Sequence, residues 1–86
     1  MQPIHQLLSR IRWDPRFGTG RFAVGYYDRV ERCIMIVPLA ELRFPPGQRR
    51  VFELYDPDGA LHRIPLHRVR AVYQDGRLIW SRPAPD

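Results

Sequence analysis

The pair Asp75-Gly76, near the end of the chain, constrains the fold more than any other feature of the sequence. It supplies the two residues with positive φ that a type I′ turn requires, and the twist of that turn matches two antiparallel strands. The segments 68–74 and 77–81 flank this pair. They are therefore predicted to form a β-hairpin.

The hairpin register predicts two unlike faces. Opposed residues share a face, so Ala71 is expected to oppose Trp80. One face is predicted to be core with a histidine at its rim, and it carries His67, Val69, Ala71, Tyr73, Leu78 and Trp80. The other face is apolar near the turn and basic farther away, where Arg68 and Arg70 lie. A negatively charged partner is expected to lie across this basic part.

The 86 residues are predicted to form one domain, 1–86, that buries about 60 to 65% of its unfolded surface. No apolar stretch approaches the roughly 20 residues needed to cross a bilayer, and the N-terminus lacks a signal-peptide pattern. The single cysteine, Cys33, has apolar neighbours that predict a buried, inert thiol. We therefore expect a soluble protein of the reducing cytoplasm, with no membrane partner.

All fourteen residues counted as Lys or Arg are arginine, against nine acidic residues. Arginine presents a planar fork that fits phosphate and carboxylate and also stacks on flat rings. This composition favours a phosphate-bearing partner, although biased codon usage explains it equally well. The net charge of +5 by itself supports a nucleic-acid partner only weakly.

The predicted fold class is α+β, with one N-terminal helix and about five or six short strands. A helix is expected over 3–12, because apolar residues recur there at the spacing of one helical face. Strands are expected at about 21–29, 33–39, 50–55, 60–64, 68–74 and 77–81, and a frayed tail at 83–86. The strand 33–39 is apolar on both faces and reads as a central one. The sheet is expected to be small, curled and mostly antiparallel, or a barrel.

Alternation in the strand 21–29 leaves one face open and basic. The core face is expected to carry Phe22, Val24 and Tyr26. On the other face Ala23 and Gly25 lie among two arginines and Tyr27, so a flat base or a phosphate can approach the backbone. The alternative is a solvated face with Gly25 at a bulge.

Two histidines, His62 and His67, are the candidates for acid–base chemistry. They would lie on opposite faces of a continuous strand unless Pro65 interrupts it. Neither they nor Cys33 form the close ligand pairs of a zinc site, so no metal is expected. The sequence has no phosphate loop, nucleophile elbow or paired-carboxylate motif, and no cofactor is predicted.

The segment between the helix and the first strand reads Arg-Trp-Asp-Pro. Trp13 is expected to close the helix over the core, and Asp14 to pair with an arginine or accept backbone donors. In the functional alternative, Arg29 and Arg68 point at a bound phosphate. Asp14 and Asp28 then hold guanidinium groups in place.

Four segments together resemble the RNA cyclic group end recognition domain. They are Ile-Arg-Trp-Asp-Pro at 11–15, Gly-Tyr-Tyr-Asp-Arg at 25–29, Ile-Pro-Leu-His-Arg-Val-Arg at 64–70, and Trp80 with Arg82. By position, the motif residues are Trp13, Asp14, Tyr26, Asp28, Arg29, His67, Arg68, Trp80 and Arg82. The resemblance implies recognition of RNA ends that carry a 2′,3′-cyclic phosphate. Members also occur fused to RNA-processing enzymes, which are therefore expected partners.

We predict an RNA-binding module, because a binder needs arginine forks and an aromatic ring, whereas an enzyme also needs a poised acid and base. Arginines with a donor from His67 would hold the phosphate, and Tyr27 would stack the terminal base at a 3′ end. The predicted ligand-binding residues are Arg29, His67, Arg68, Arg70, Tyr27, Asp14, Asp28 and Arg82. The alternatives are a cyclic phosphodiesterase using His67 and His62, and a protein-interaction domain.

Overall fold

The computed structural model describes residues 3–14, 20–48 and 50–83. One helix, α1 (Ile4–Trp13), precedes β1 (Phe22–Asp28), β2 (Cys33–Pro38), β3 (Val51–Tyr55), β4 (Leu61–Pro65), β5 (Val69–Gln74) and β6 (Arg77–Ser81). Short 3₁₀ turns, Leu39–Glu41 and Leu66–Arg68, follow β2 and β4. Residues 84–86 of the expected tail lie outside the described ranges.

The six strands form two sheets. β2, β1, β5 and β6 lie side by side in that order in an antiparallel four-stranded sheet, while β3 and β4 form an antiparallel hairpin. Within the described part of the chain neither sheet closes into a barrel. The predicted α+β class, with one N-terminal helix and mostly antiparallel strands, is confirmed.

The helix and both sheets share one apolar core. The buried residues of α1 are those of the predicted stripe, Ile4, Leu7, Leu8 and Ile11. They belong to one cluster with Val24 and Val72 of the four-stranded sheet and Phe52 of the hairpin. An edge-to-face contact between the rings of Tyr26 and Phe52, with centroids 5.8 Å apart, joins the two sheets. No helix in the described ranges is long and apolar enough to cross a membrane.

Trp13, the last residue of the helix, lies outside this core. Trp13 is 73% exposed, so the expectation that it closes the helix over the core is wrong. The buried stripe ends at Ile11, and two residues correspond to about 200° of helical rotation, which places Trp13 on the outer side.

The β5–β6 hairpin keeps the predicted register beside its turn. Both residues of the Asp-Gly turn have positive φ, 51° and 82°, as a type I′ turn requires. Gln74 faces Arg77 and Tyr73 faces Leu78. The sequence therefore predicted the turn and its first two pairs correctly.

Beyond these pairs a bulge changes the faces. Ile79 is the extra residue on β6, so Trp80 opposes Val72 instead of the predicted Ala71. Val72 is consequently fully buried, and Leu78, expected in the core, is 52% exposed. Val69, Ala71 and Trp80 are buried as predicted. The prediction is wrong for Val72 and Leu78, because a one-residue slip moves later side chains to the other side.

A second bulge lies where β5 pairs with β1. Gly25 faces Ala71 and Tyr26 faces Val69, which leaves Arg70 without an opposite residue on β1. The alternative that placed a bulge at Gly25 is therefore close to the observed position. Arg70 is only 8% exposed, so the prediction that it lies on an open basic face is wrong. The pairing of two strands cannot be predicted from the alternation of apolar and polar residues in one of them.

β2 is an edge strand of the four-stranded sheet and not the predicted central strand. Its residues Ile34, Met35 and Ile36 are exposed. Cys33 is exposed as well, which contradicts the expected buried thiol. An apolar run is compatible with a buried strand, but the order of strands in the sheet decides whether it is covered.

Replacing Trp80 should test the hairpin packing. Trp80→Ala should lower the free energy of unfolding by about 3 to 5 kcal/mol, because it removes a large buried ring from the core. Denaturant titration measures this change. The matched control is Leu78→Ala on the same strand, which should change stability by less than about 0.5 kcal/mol since Leu78 is exposed. Equal losses for both variants would contradict the bulge.

Candidate functional site

A groove of about 750 Å³ lies between the end of β1 and the β3–β4 hairpin. Tyr27 and Arg29 line it on the β1 side, and Tyr55 and His62 on the hairpin side. Arg68 reaches it from the 3₁₀ turn that precedes β5. Met35 and Val37 of β2 and Glu41 of the 3₁₀ turn after β2 also line the groove, so it is built from segments that are far apart in the sequence.

Asp28 holds the turn that presents Arg29. One carboxylate oxygen, Oδ1, accepts hydrogen bonds from the backbone N–H groups of Val30 at 2.8 Å and Glu31 at 3.1 Å. The backbone carbonyl of Asp28 accepts a further bond from the N–H of Arg32 at 2.8 Å. An aspartate that accepts from the next two or three amides is a common turn-forming arrangement. Asp28 therefore positions Arg29 through the backbone.

Arg29 and Arg68, the two arginines that the functional alternative assigned to a phosphate, both line the groove. Arg29 is exposed and Arg68 is half-buried. Among the described residues, neither guanidinium has a hydrogen bond or ion pair with a carboxylate, whereas Arg63 is paired with Glu53 at 3.0 Å. Four acidic residues, Asp28, Glu31, Glu41 and Asp56, also line the groove, so its lining as a whole is not positively charged. An anion such as phosphate would bind locally, at the two guanidiniums that have no carboxylate partner.

Two other arginines, Arg70 and Arg82, fix the turn that carries Arg68. Their guanidiniums donate hydrogen bonds of 2.5 to 3.2 Å to backbone carbonyls. The accepting carbonyls are those of Leu66, His67 and Val69. Burial, and then the nearby charge of Arg70, lower the pKa of Arg82 below its ordinary value. The structure thus gives these two predicted ligand-binding residues carbonyl partners and does not place them in the groove lining.

The two histidines are separated by this turn. Pro65 ends β4 and the 3₁₀ turn Leu66–Arg68 follows, so the strand is interrupted as one alternative required. The interruption does not bring the histidines together at the groove. His62 lines it, whereas His67 is exposed and does not.

His62 is oriented by Asp56. The distance between His62 Nε2 and Asp56 Oδ2 is 2.7 Å. The other carboxylate oxygen accepts from the N–H groups of Asp58 and Ala60, both at 2.9 Å, and holds the β3–β4 turn. The bond from His62, and then those from the backbone, lower the pKa of Asp56 below its ordinary value of 3.8. With Nε2 held, the ring can offer Nδ1 to a ligand.

Three tyrosines line the groove, and they differ in exposure. Tyr26 is buried, and this burial, followed by the negative charge of Asp28, raises the pKa of its hydroxyl. Tyr27 is half-buried, and Tyr55 is 52% exposed. Sequence reasoning missed both Tyr55 and the Asp56–His62 pair. The Asp-Pro-Asp-Gly turn can be predicted from its residues. Which end of the hairpin lies at a groove cannot be predicted in the same way.

The remaining predicted site residue, Asp14, ends α1 and does not line the groove. No group of three or more His, Cys, Asp or Glu in the described ranges is arranged to hold a metal ion. The groove can therefore supply guanidinium forks, an oriented imidazole and aromatic rings. These groups suit an anion attached to a flat ring.

The family model described as the MJ1316 RNA cyclic group end recognition domain matches residues 1–82. The chain belongs to this family. This match confirms the resemblance seen in the sequence. The family name indicates that the domain binds RNA. No solved structure matches the chain. Four of the motif residues line the groove, namely Tyr26, Asp28, Arg29 and Arg68.

The link between His62 and Asp56 predicts a pKa change. His62→Ala should raise the pKa of Asp56 towards 3.8, because it removes the bond that lowers this pKa most. A carboxyl with a lowered folded pKa stabilises the fold above its unfolded pKa, and the contribution is lost as pH falls through the folded pKa. The wild type should therefore be more stable than the variant above pH 3.8, and this difference in stability should vanish at lower pH.

Carboxyl chemical shifts followed by NMR titration measure the Asp56 pKa directly. His67→Ala is the matched control, since His67 does not touch this carboxylate, and it should leave the pKa of Asp56 unchanged. An Asp56 pKa that is the same in both variants would show that the imidazole contact does not form in solution.

Proposed function

We propose that the protein binds RNA ends that carry a 2′,3′-cyclic phosphate and that the end lies in the groove. The observation that carries this proposal is the pair Arg29 and Arg68, which line one groove without a carboxylate partner among the described residues. A cyclic phosphate has one negative charge and two non-bridging oxygens, which match the donors of a guanidinium fork. Membership of the family supports the same ligand class.

His62 and Tyr27 complete the proposed site. The Nδ1–H of His62 would donate to the phosphate, with the ring held by Asp56 through Nε2. Tyr27 lies two residues before Arg29 in the chain and lines the groove, so its ring is available to stack the terminal base. His67 was the donor expected from the sequence, and the position of His62 in the groove favours His62 for that role.

An end with free hydroxyl groups offers this site no local negative charge. The proposed contacts therefore discriminate a cyclic phosphate from a hydroxyl end through the charge-assisted bonds alone. In a protein-interaction domain, these arginines would be paired with acidic side chains. Of the arginines that line the groove, only Arg63 has a carboxylate partner within the described residues.

Salt dependence should report the arginine contacts. For RNA with a cyclic phosphate, log K should fall with log salt with a slope of roughly −2 to −3, at about −0.7 per phosphate engaged. Arg29→Gln and Arg68→Gln should each weaken binding and make the slope shallower by about 0.7. Arg77→Gln, which removes the same charge from β6 outside this groove, is the matched control. A slope near zero in the wild-type protein would contradict the proposal.

A second candidate function is hydrolysis of the cyclic phosphate, because Asp56 and His62 form the pair that orients a general base. Hydrolysis would need His62 to take a proton from water as it attacks phosphorus, and an acid to protonate the departing 2′ or 3′ oxygen. The histidine that was expected to share this work, His67, does not line the groove. The geometry therefore favours binding without turnover.

Product analysis separates the two functions. The protein at high concentration should leave a cyclic-phosphate RNA unopened, and no 2′- or 3′-monophosphate should form. His62→Asn should weaken binding by about 1 to 2 kcal/mol, because it removes a donor to a charged group. His67→Asn should not weaken it. Monophosphate that forms with the wild type and is lost in His62→Asn would instead establish a phosphodiesterase.

A further inference from the structure

Aromatic rings and guanidiniums form two groups between the end of α1 and the groove, and the chain joins these groups at Arg43 and Phe44. The Cζ atom of Arg12 lies 5.2 Å from the ring centroid of Trp13 and 4.6 Å from that of Phe44. The preceding residue, Arg43, has its Cζ atom 5.8 Å from the ring centroid of Tyr55 and donates to its hydroxyl at 3.2 Å. Tyr55 in turn lines the groove. We call these five residues the aromatic row.

The outer members of the row do little for the stability of the fold. Trp13 is 73% exposed and Tyr55 is 52% exposed, and neither belongs to the core cluster. A buried ring of this size would stabilise the fold, whereas the exposed ring of Trp13 contributes little of that stabilisation. Tryptophan is also the residue type most enriched at the centres of binding surfaces. The exposure of Trp13 therefore indicates a contact with a partner.

The charge of the row selects an anionic partner. α1 contains no acidic residue, and its last turn carries Arg10 and Arg12. Next to Arg43, the carboxylate of Glu53 is held by Arg63 through bonds of 3.0 and 3.2 Å. Within the described residues, the guanidiniums of Arg12 and Arg43 have ring contacts but no ion pair. A partner with negative charges and flat rings at short intervals would satisfy both features.

Single-stranded RNA has this combination, because each nucleotide carries a phosphate and a base. We propose that the aromatic row binds the single-stranded RNA that leads to the end held in the groove. Bases stack on Trp13 and Tyr55, and Arg12 and Arg43 contact the phosphates between them. This inference rests on the proposed function of the groove. The contacts are made to ring faces and phosphates, so they carry little sequence preference.

The row itself contains only rings and guanidiniums, and the exposed aliphatic side chains of Ile34 and Ile36 on β2 and of Leu78 on β6 lie outside it. Two others are close to it, since Leu61 is 48% exposed and opposes Tyr55 in the hairpin, and Val30 lines the groove. An apolar protein partner or a second copy of this chain would gain more from those aliphatic residues than from the row. The composition of the row thus favours RNA over a protein partner.

The length of the RNA provides the decisive test. Trp13→Ala should weaken binding of a single strand of about ten nucleotides by roughly tenfold, the loss of one stacked base. The loss should be the same for a cyclic-phosphate end and a hydroxyl end. A dinucleotide with a cyclic phosphate should bind the variant and the wild type equally, because it occupies the groove alone. Fluorescence anisotropy of labelled RNA measures each affinity.

Intrinsic fluorescence provides a second readout that does not depend on affinity. The protein has two tryptophans, of which Trp13 is exposed and Trp80 is buried. The longer RNA should quench the wild-type emission, and it should leave the emission of Trp13→Phe nearly unchanged, although the phenyl ring retains most of the affinity. Quenching that persists in Trp13→Phe would place the RNA away from the row and overturn the proposal.

Charge-matched variants complete the design. Arg12→Gln should weaken binding of the longer RNA and make its salt slope shallower by about 0.7, whereas Arg77→Gln should do neither. If Trp13→Ala leaves the RNA affinity unchanged while the wild type still discriminates between the two ends, the proposed role of the aromatic row alone is overturned. Loss of end discrimination in the wild type would overturn the proposed function of the groove. A dimer that Trp13→Ala dissociates would assign the row to self-association.

Discussion

Two arginine side chains that bind backbone carbonyls hold the turn between β4 and β5, and the groove depends on this interaction. The bulge at Arg70 and the 3₁₀ turn Leu66–Arg68 leave carbonyl groups outside the regular strand pairing. Each buried carbonyl left without a donor would cost about 1 to 3 kcal/mol. Arg70 and Arg82 provide the donors. With the turn held in this way, Arg68 lies in the groove.

The same residue type therefore does three different things in this protein. Arg70 and Arg82 bind carbonyls, Arg63 pairs with Glu53, and the arginines at the groove have no carboxylate partner among the described residues. The planar fork of the guanidinium suits all three environments, whereas the ammonium group of lysine is a compact charge without this fixed fork. The absence of lysine agrees with these uses, and it does not by itself indicate which arginines bind a ligand.

The groove exists because the two sheets share a core but not an edge. Tyr26 and Phe52 pack together inside, while β2 remains an edge strand and the β3–β4 hairpin forms its own sheet. In a closed barrel, strand pairing would occupy this space. Here the turn after β1 and the end of the hairpin stay apart, and Arg29 and His62 face a common groove. The row from Trp13 to Tyr55 ends at the same place.

The sequence by itself determined the features that depend on neighbours in the chain. These are the stripe of α1, the Asp75-Gly76 turn, the α+β class and the family. Four of the residues predicted to bind the ligand, Tyr27, Asp28, Arg29 and Arg68, line the groove, and their binding role stays a prediction. Only the tertiary structure decided the bulges, the edge position of β2 and the burial of Arg70. It also placed His62 and not His67 at the groove. The physical reason is that a bulge or a strand order is set by partners distant in the chain, and one added residue reverses every face beyond it.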